Sequence, residues 1–363
     1  MRVLLLANSD EGLYQFRNEL IVTLLQDNEV FLGIPNGKYV EYFKGIGCNV
    51  ENTNYDRHGI NPFNELKIIS RYKKMLKNIK PDIVFTYTIK PNIYGGIACS
   101  SLNIPYISNI TGLGTAVENG GLLQIIALVL YKIGLKNAKK VFFQNSENKR
   151  FMIKKNVVKG PCDLLPGSGV NLSKYKVTEY PKGNVVNFLF VARLMKEKGI
   201  DIYLDAAIAI HKKYPNTLFH VCGSKEIEYD MTELNKLVKE GFVVYHGEVE
   251  NIKDMYKMAS CTIHPTYYPE GLSNVLLESC ACARPIITTN RPGCREVVED
   301  GVNGYIIKEK NCDDLIKKIE IFLNKDIEER KQMGIAGRKK VEREFNRTVV
   351  INKYLNEIES INI

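Results

Sequence analysis

The chain has 363 residues, 45% of them hydrophobic and none of them Trp, with a formal net charge of +9. That length exceeds the size at which one hydrophobic core keeps growing, so two domains of about 170 to 180 residues are expected. The apolar content, without low-complexity tracts or internal repeats, excludes a disordered or solenoid chain. Nine cysteines, odd in number and without paired CxxC spacing, exclude a disulfide framework and supply no metal site. The apolar run in MRVLLLANSDEG is too short for a secretory leader and reads as a first strand, so a cytoplasmic protein is expected. Nearly all the surplus positive charge lies in the first 170 residues. Such a surface suits anionic lipid, a phosphorylated substrate or nucleic acid, or is simply a Lys-rich solvated face.

In chain order, Val3–Ala7 is a buried strand, Asn8–Gly12 a turn, and Leu13, Phe16, Leu20, Leu24 and Leu25 a helical pattern. In an open parallel sheet such a turn lies where ligands bind, so Gly12 would admit a ligand and Arg17 would sit in the first turns of the helix. A strand at Glu29–Ile34, a helix at Tyr39–Lys44 and a long helix at Pro62–Asn78 continue a parallel α/β alternation. The strand Asp82–Tyr87 runs into Thr88-Ile89-Lys90-Pro91-Asn92, which places Lys90 at a carboxyl end, and a helix containing Gly95, Gly96 and Ala98 follows. Lys90 there is either an acceptor-phosphate contact or an ordinary surface lysine. Ile104–Ile110 closes in Thr111-Gly112-Leu113-Gly114-Thr115, where Gly112 and Gly114 would admit a substrate against exposed amides. The apolar stretch Leu122–Leu135, broken by Gln124 and Lys132 and followed by Lys136, Lys139 and Lys140, is too short to span a bilayer. It is either a buried core helix or one lying in the headgroup layer of an anionic membrane. Val141–Asn145 is the last clear strand before a helix and a Pro- and Gly-rich linker over residues 160–180.

In the second half, the strand Val186–Ala192 ends at Arg193, with Lys196, Lys198 and Gly199 at a helix start. Arg and Lys in such a place neutralise a diphosphate leaving group, while Glu197 has no assigned role. Strands Thr217–Cys222 and Phe242–His246 end at Gly223-Ser224 and Gly247-Glu248-Val249 and should line the same pocket. Cys261–Pro265 then delivers PTYYPEGLSNVLLESCACARPIITT, in which His264 is a core or a cleft histidine. The eight-position offset from Glu270 to Glu278 is a rotation of about 800°, leaving Glu270 in the loop and Glu278 lower on the adjoining helix face. Gly271 would let a phosphate or sugar approach amides at the positive end of the helix dipole. The blander reading makes Glu270 a dipole partner and Glu278 a solvated residue. A strand at Arg284–Thr289, a helix start at Pro292–Glu296, a turn at Asp300–Gly304 into Tyr305–Ile307, and helical patterns complete the chain.

VARLMKEKG at Val191–Gly199, together with the Glu270-x7-Glu278 stretch, resembles the family-4 retaining glycosyltransferases of GT-B architecture. The resemblance implies an α/β fold of two Rossmann-like parallel-sheet domains facing across a cleft. These are an acceptor domain at 1–168, joined by a closing helix at 346–360, and a nucleotide-sugar domain at 169–345. It implies that Glu270 reads sugar hydroxyls, that Gly271, Leu272, Ser273 and Asn274 cover the sugar and diphosphate, and that Glu278 takes the ribose hydroxyls. Arg193 and Lys198 then meet the leaving diphosphate, and Gly223 and Val249 line the donor site. Gly12, Arg17, Lys90, Gly112 and Gly114 are the expected acceptor contacts. Ser9, Asp10 and Glu11 replace the double glycine of many relatives, and no His occurs between His58 and His211 to serve as an N-domain base.

The resulting expectation is a retaining, metal-independent transferase. It moves a hexose or N-acetylhexosamine from a UDP-sugar to an undecaprenyl-diphosphate-linked saccharide, in capsule, O-antigen or glycan assembly, at the cytoplasmic face of the membrane. Neither a cofactor beyond the donor nor a nucleic-acid partner is expected, and the absence of Asp-x-Asp means that the sequence requires no metal. A soluble sugar acceptor, a nucleotide-sugar 2-epimerase of the same architecture and a non-catalytic sugar-nucleotide-binding protein are the alternatives.

Overall fold

The apolar runs that open each half of the chain become the centres of two parallel sheets. The computed structural model describes residues 1–53, 62–118 and 120–360, and divides the chain into two units, Met1–Ser168 with Thr348–Ile363, and Gly169–Arg347.

In the first unit the strands are β1 (Arg2–Leu6), β2 (Glu29–Ile34), β3 (Asn49–Asn52), β4 (Ile83–Tyr87), β5 (Tyr106–Ile110), β6 (Lys140–Phe143) and β7 (Cys162–Leu164). Among the described residues they form one sheet in the order β3-β2-β1-β4-β5-β6-β7, every pair parallel. Alternate residues of β1 feed two cores: Val3 and Leu5 pack with Phe85, and Leu4 and Leu6 with Val84 on the other face. The helix Arg347–Glu359 seals the first of these through Val350, Tyr354 and Ile358, four residues apart on one face. Tyr354 meets Phe85 and Phe142 with ring centroids 5.1 and 5.6 Å away. The strand order reverses between β1 and β4, so the segments leaving these strands open the crevice in which doubly wound sheets take ligands.

The second unit repeats the plan with β8 (Val186–Val191), β9 (Thr217–Cys222), β10 (Val243–Gly247), β11 (Cys261–His264), β12 (Ile286–Thr289) and β13 (Gly304–Ile307). Their order is β10-β9-β8-β11-β12-β13, again parallel, with the reversal between β8 and β11.

Several local expectations change. Asn8–Gly12 is not a free turn: Ser9 caps a helix at Asp10–Leu24 by accepting from the Gly12 amide at 3.1 Å. The Asp10 carboxylate accepts from the Tyr39 amide at 2.8 Å, tying the loop after β2 to this helix start. The expected linker over 160–180 contains the edge strand β7, and residues 292–297 form successive turns in place of a helix start. The helix after β4 opens with a π-turn, Pro91–Gly95, before Gly96–Ser101.

Candidate active site

In the second unit β8 and β11 lie side by side, and the segments leaving them carry the basic pair and the first glutamate. After β8 the chain makes the short turn Lys196–Lys198 and reaches Gly199. Its φ of 79° is left-handed, and a Cβ there would lie 2.2 Å from the Pro265 carbonyl oxygen, so glycine is required. The Tyr267 amide and the Thr266 hydroxyl both donate to the Glu197 carbonyl, at 2.8 and 3.2 Å. Glu197 therefore contributes its main chain: it locks the lysine turn to the Pro265–Glu270 loop.

That lock brings Lys198 Nζ into an ion pair with Glu270 Oε1, the two side chains being 12% and 16% exposed. Lys198 Nζ also lies 4.4 Å from the centre of the Tyr268 ring, a cation–π contact that sequence spacing does not announce. Burial would raise the Glu270 carboxyl, but the Lys198 ammonium and the neighbouring His264 ring together outweigh it and hold the group down at about 2. Beneath the pair is His264, whose Nε2 lies 3.8 Å from Glu270 Oε1, beyond hydrogen-bond reach. Neither of its ring nitrogens has a hydrogen-bond partner among the described residues, and burial pushes its pKa down, which keeps it neutral at pH 7. His264 is open to two readings in the sequence, core or cleft. It is buried, at the edge of the site. Arg193, directly after β8, is exposed and paired with Glu226 through Nη1 and Oε1.

Glu278 stands within the helix Asn274–Ala281 and is not a solvated residue. The Tyr256 hydroxyl donates to its Oε2 at 3.1 Å. Burial raises its carboxyl, opposed by the Tyr175 and Tyr256 hydroxyls and by the charges of Lys174 and Arg347. Gly271, Leu272 and Ser273 are buried and Asn274 partly so. The Ser273 amide already donates to the Gly293 carbonyl at 2.8 Å. Gly293, at φ 86°, folds so closely over Gly271 that a Cβ would sit 2.7 Å from its carbonyl oxygen. Gly223 is demanded by main-chain packing, since a Cβ would meet the Ala192 carbonyl oxygen at 1.7 Å. Val249 is half-buried against the apolar cluster of Leu272 and Leu276.

In the first unit, the end of β4 gathers most of the expected acceptor residues. Arg17 is buried, with its guanidinium 5.1 Å from the Tyr87 ring centre and Nη1 donating to the Phe16 carbonyl at 2.8 Å. Lys90 forms a half-buried ion pair with Glu65 at 2.8 Å, a partner that the sequence pattern does not reveal. Gly112 and Gly114 have φ of 148° and 78°, and a Cβ on Gly114 would lie 2.8 Å from Ile89 Cδ1. The Gly112–Gly114 loop thus rests on the Thr88–Lys90 turn. Gly12 sits apart from these contacts, inside the first helical turn after β1, with room for a Cβ. Buried polar bonds hold this end of the sheet: Thr86 Oγ1 donates to Asn92 Oδ1 at 2.7 Å, Asn92 Nδ2 to the Asn109 carbonyl at 2.8 Å, and the Tyr354 hydroxyl to Asn109 Oδ1.

Two family models divide the chain as the sheets do: "Glycosyl transferase 4-like" matches residues 2–145 and "Glycosyl transferases group 1" residues 176–340. The chain belongs to the family-4 glycosyltransferases of GT-B architecture. This glycosyltransferase is 25% identical to the N,N'-diacetylbacillosaminyl-diphospho-undecaprenol alpha-1,3-N-acetylgalactosaminyltransferase of Campylobacter jejuni, over 98% of this chain and 97% of the relative. It is 27% identical to the capsular polysaccharide biosynthesis glycosyltransferase CapM of Staphylococcus aureus, over 82% and 83% of the two chains. Its fold is that of Anabaena HepE, solved in complex with UDP and glucose, at TM-score 0.80 and 17% identity over 99% of each chain. The two expected parallel-sheet Rossmann-like domains and the enzyme class are thereby established for the glycosyltransferase.

Proposed function

We propose that this glycosyltransferase moves a hexose or N-acetylhexosamine from a UDP-sugar to a polyprenyl-diphosphate-linked saccharide, with retention at the anomeric carbon and without a metal. The donor belongs to the Gly169–Arg347 unit and the acceptor to the other. The Lys198–Glu270 pair at the carboxyl ends of β8 and β11 carries this reading.

As the bond from the anomeric carbon to the β-phosphate oxygen breaks, negative charge grows on the diphosphate, and Lys198 and Arg193 offset it. The acceptor hydroxyl attacks from the same face, and its proton passes to the departing phosphate oxygen. This route needs no protein nucleophile or base. Glu270, kept ionised beside Lys198, accepts hydrogen bonds from the sugar hydroxyls. Glu278 does the same for the ribose, and Gly271, Leu272 and Asn274 enclose the diphosphate with Gly223 and Val249 behind it. Because Arg193 and Lys198 supply the positive charge, neither metal nor cofactor enters the reaction. Lys90, Arg17 and the glycine loop would take the acceptor diphosphate, Lys90 by giving up Glu65. The named activity of the Campylobacter relative, on an undecaprenol-linked saccharide, supports the lipid-linked acceptor. Peripheral contact with the cytoplasmic face of a membrane is part of the reading.

A panel of UDP-sugars, incubated with a short-chain polyprenyl-diphosphate saccharide and EDTA, tests it, with the anomeric configuration of the product read by NMR. The expected product keeps the donor's configuration and forms at an unchanged rate with EDTA. An inverted product refutes retention, loss with EDTA refutes metal independence, and free UDP without product refutes the acceptor.

A further inference from the structure

The helix Gly121–Gly134 is the most apolar of the longer helices of the first unit, yet it leaves one apolar side exposed. Leu122, Ile125, Ile126, Val129 and Ile133 are 72, 59, 47, 51 and 51% exposed. At about 100° per residue these five positions share a stripe about 100° wide, and the exposed Leu123 widens it. The opposite face is the one that packs: Tyr131 and Gly134 are buried, Ala127 and Leu128 lie against the core, and Leu130 joins them from the edge of the stripe. An isolated exposed leucine needs no explanation; six apolar side chains on one helix do.

Charge identifies the occupant. Lys132 and Lys136 are exposed beside the carboxyl end of the stripe, and residues 119–146 contain no Asp or Glu. A continuous apolar stripe with cations at its carboxyl-end margin matches a bilayer carrying anionic headgroups, whose acyl boundary takes the apolar face while the headgroups meet the lysines. No helix among the described residues is long and apolar enough to cross a membrane. Docking through this face would lay the helix in the interface plane.

We infer that the Leu122–Ile133 face is the surface by which this chain docks on anionic lipid, with Lys132 and Lys136 supplying the electrostatic part. The inference deepens the lipid-linked-acceptor reading but stands on the exposed face itself. It is tested by flotation of the purified full-length protein, with no substrate, on phosphatidylcholine vesicles and on vesicles in which phosphatidylglycerol replaces about a third of that lipid. Wild type should float with the anionic vesicles and only weakly with the neutral ones. Ile125→Glu with Val129→Glu should reduce partitioning at least tenfold, and Lys132→Ala with Lys136→Ala should weaken binding to anionic vesicles alone. Both pairs are exposed, and circular dichroism verifies folding. Two results would overturn the inference: anionic vesicles that fail to recruit wild type, or an apolar pair that binds as wild type does. A vesicle-free dimer that the Ile125→Glu change converts to monomer would also overturn it, because the face would then join copies of the chain. Vesicle binding without transfer to the polyprenyl acceptor would sink the acceptor reading and leave the surface standing.

Discussion

Lys198 and Glu270 are worth more to one another than an exposed ion pair, because neither is well solvated and each would be costly alone. The Glu270 carboxyl, at about 2 in the folded protein against 4.5 for the ordinary group, contributes stability that is complete above pH 4.5 and is lost as pH falls toward 2. His220 works in a higher window. Burial and the neighbouring His246 hold it at about 4 against an ordinary 6.5, so acid protonates the unfolded chain first and stability falls as pH drops from 6.5 to 4. Denaturant midpoints measured against pH should therefore decline below pH 6.5, and Glu270→Gln should remove the later step and leave the earlier one. His264 poses a different test. A buried ring with two unpartnered nitrogens returns nothing for its desolvation, so His264→Leu should be neutral or stabilising, by up to about 1 kcal/mol, in urea unfolding. A marked loss of stability would mean that the imidazole is held by polar partners after all.

The lysine turn and the Glu270 loop act as one piece because Gly199 and the Glu197 carbonyl join them. Gly199→Ala forces a left-handed alanine and a collision with the Pro265 carbonyl, so it should cost about 1–3 kcal/mol and displace Lys198. Transfer should then fall more than the change in thermal midpoint explains, and an active variant of wild-type stability would contradict the coupling. Arg284 is the corresponding anchor behind the site. It is wholly buried, and its guanidinium donates to the carbonyls of Tyr256, Lys257, Thr178, Glu179, Cys282 and Ala283. Arg284→Leu orphans these acceptors and should cost about 3 kcal/mol or more in chemical denaturation. The sequence shows where β8 and β11 end and that basic and acidic residues follow them, since the strands are apolar runs with turn residues after them. It does not show the partners, because Glu65, Glu226 and Tyr256 reach their partners from distant segments with no periodic relation to them. The short, half-exposed β3 and β7 are illegible for a related reason: edge strands carry little of the apolar signal that reveals a central one. Nor does periodicity tell which face of the 121–134 helix is buried, and the more apolar face proves to be the exposed one.

Across the whole molecule, the two units have separate cores, and the donor site as assigned draws every residue from Gly169–Arg347. A ligand confined to one unit stabilises that unit by mass action. UDP at about 100 times its Kd should stabilise the second unit by about 2.7 kcal/mol, read as hydrogen-exchange protection there with little change in β1–β7. Protection confined to the first unit would place the nucleotide elsewhere. The most direct test of the central claim is steady-state transfer from the preferred UDP-sugar by wild type, Lys198→Ala and Glu270→Ala, each verified as folded by circular dichroism. Loss of roughly 100- to 1,000-fold in turnover in both variants is predicted. Near-normal turnover in either folded variant would contradict the assignment of the reaction to this pair.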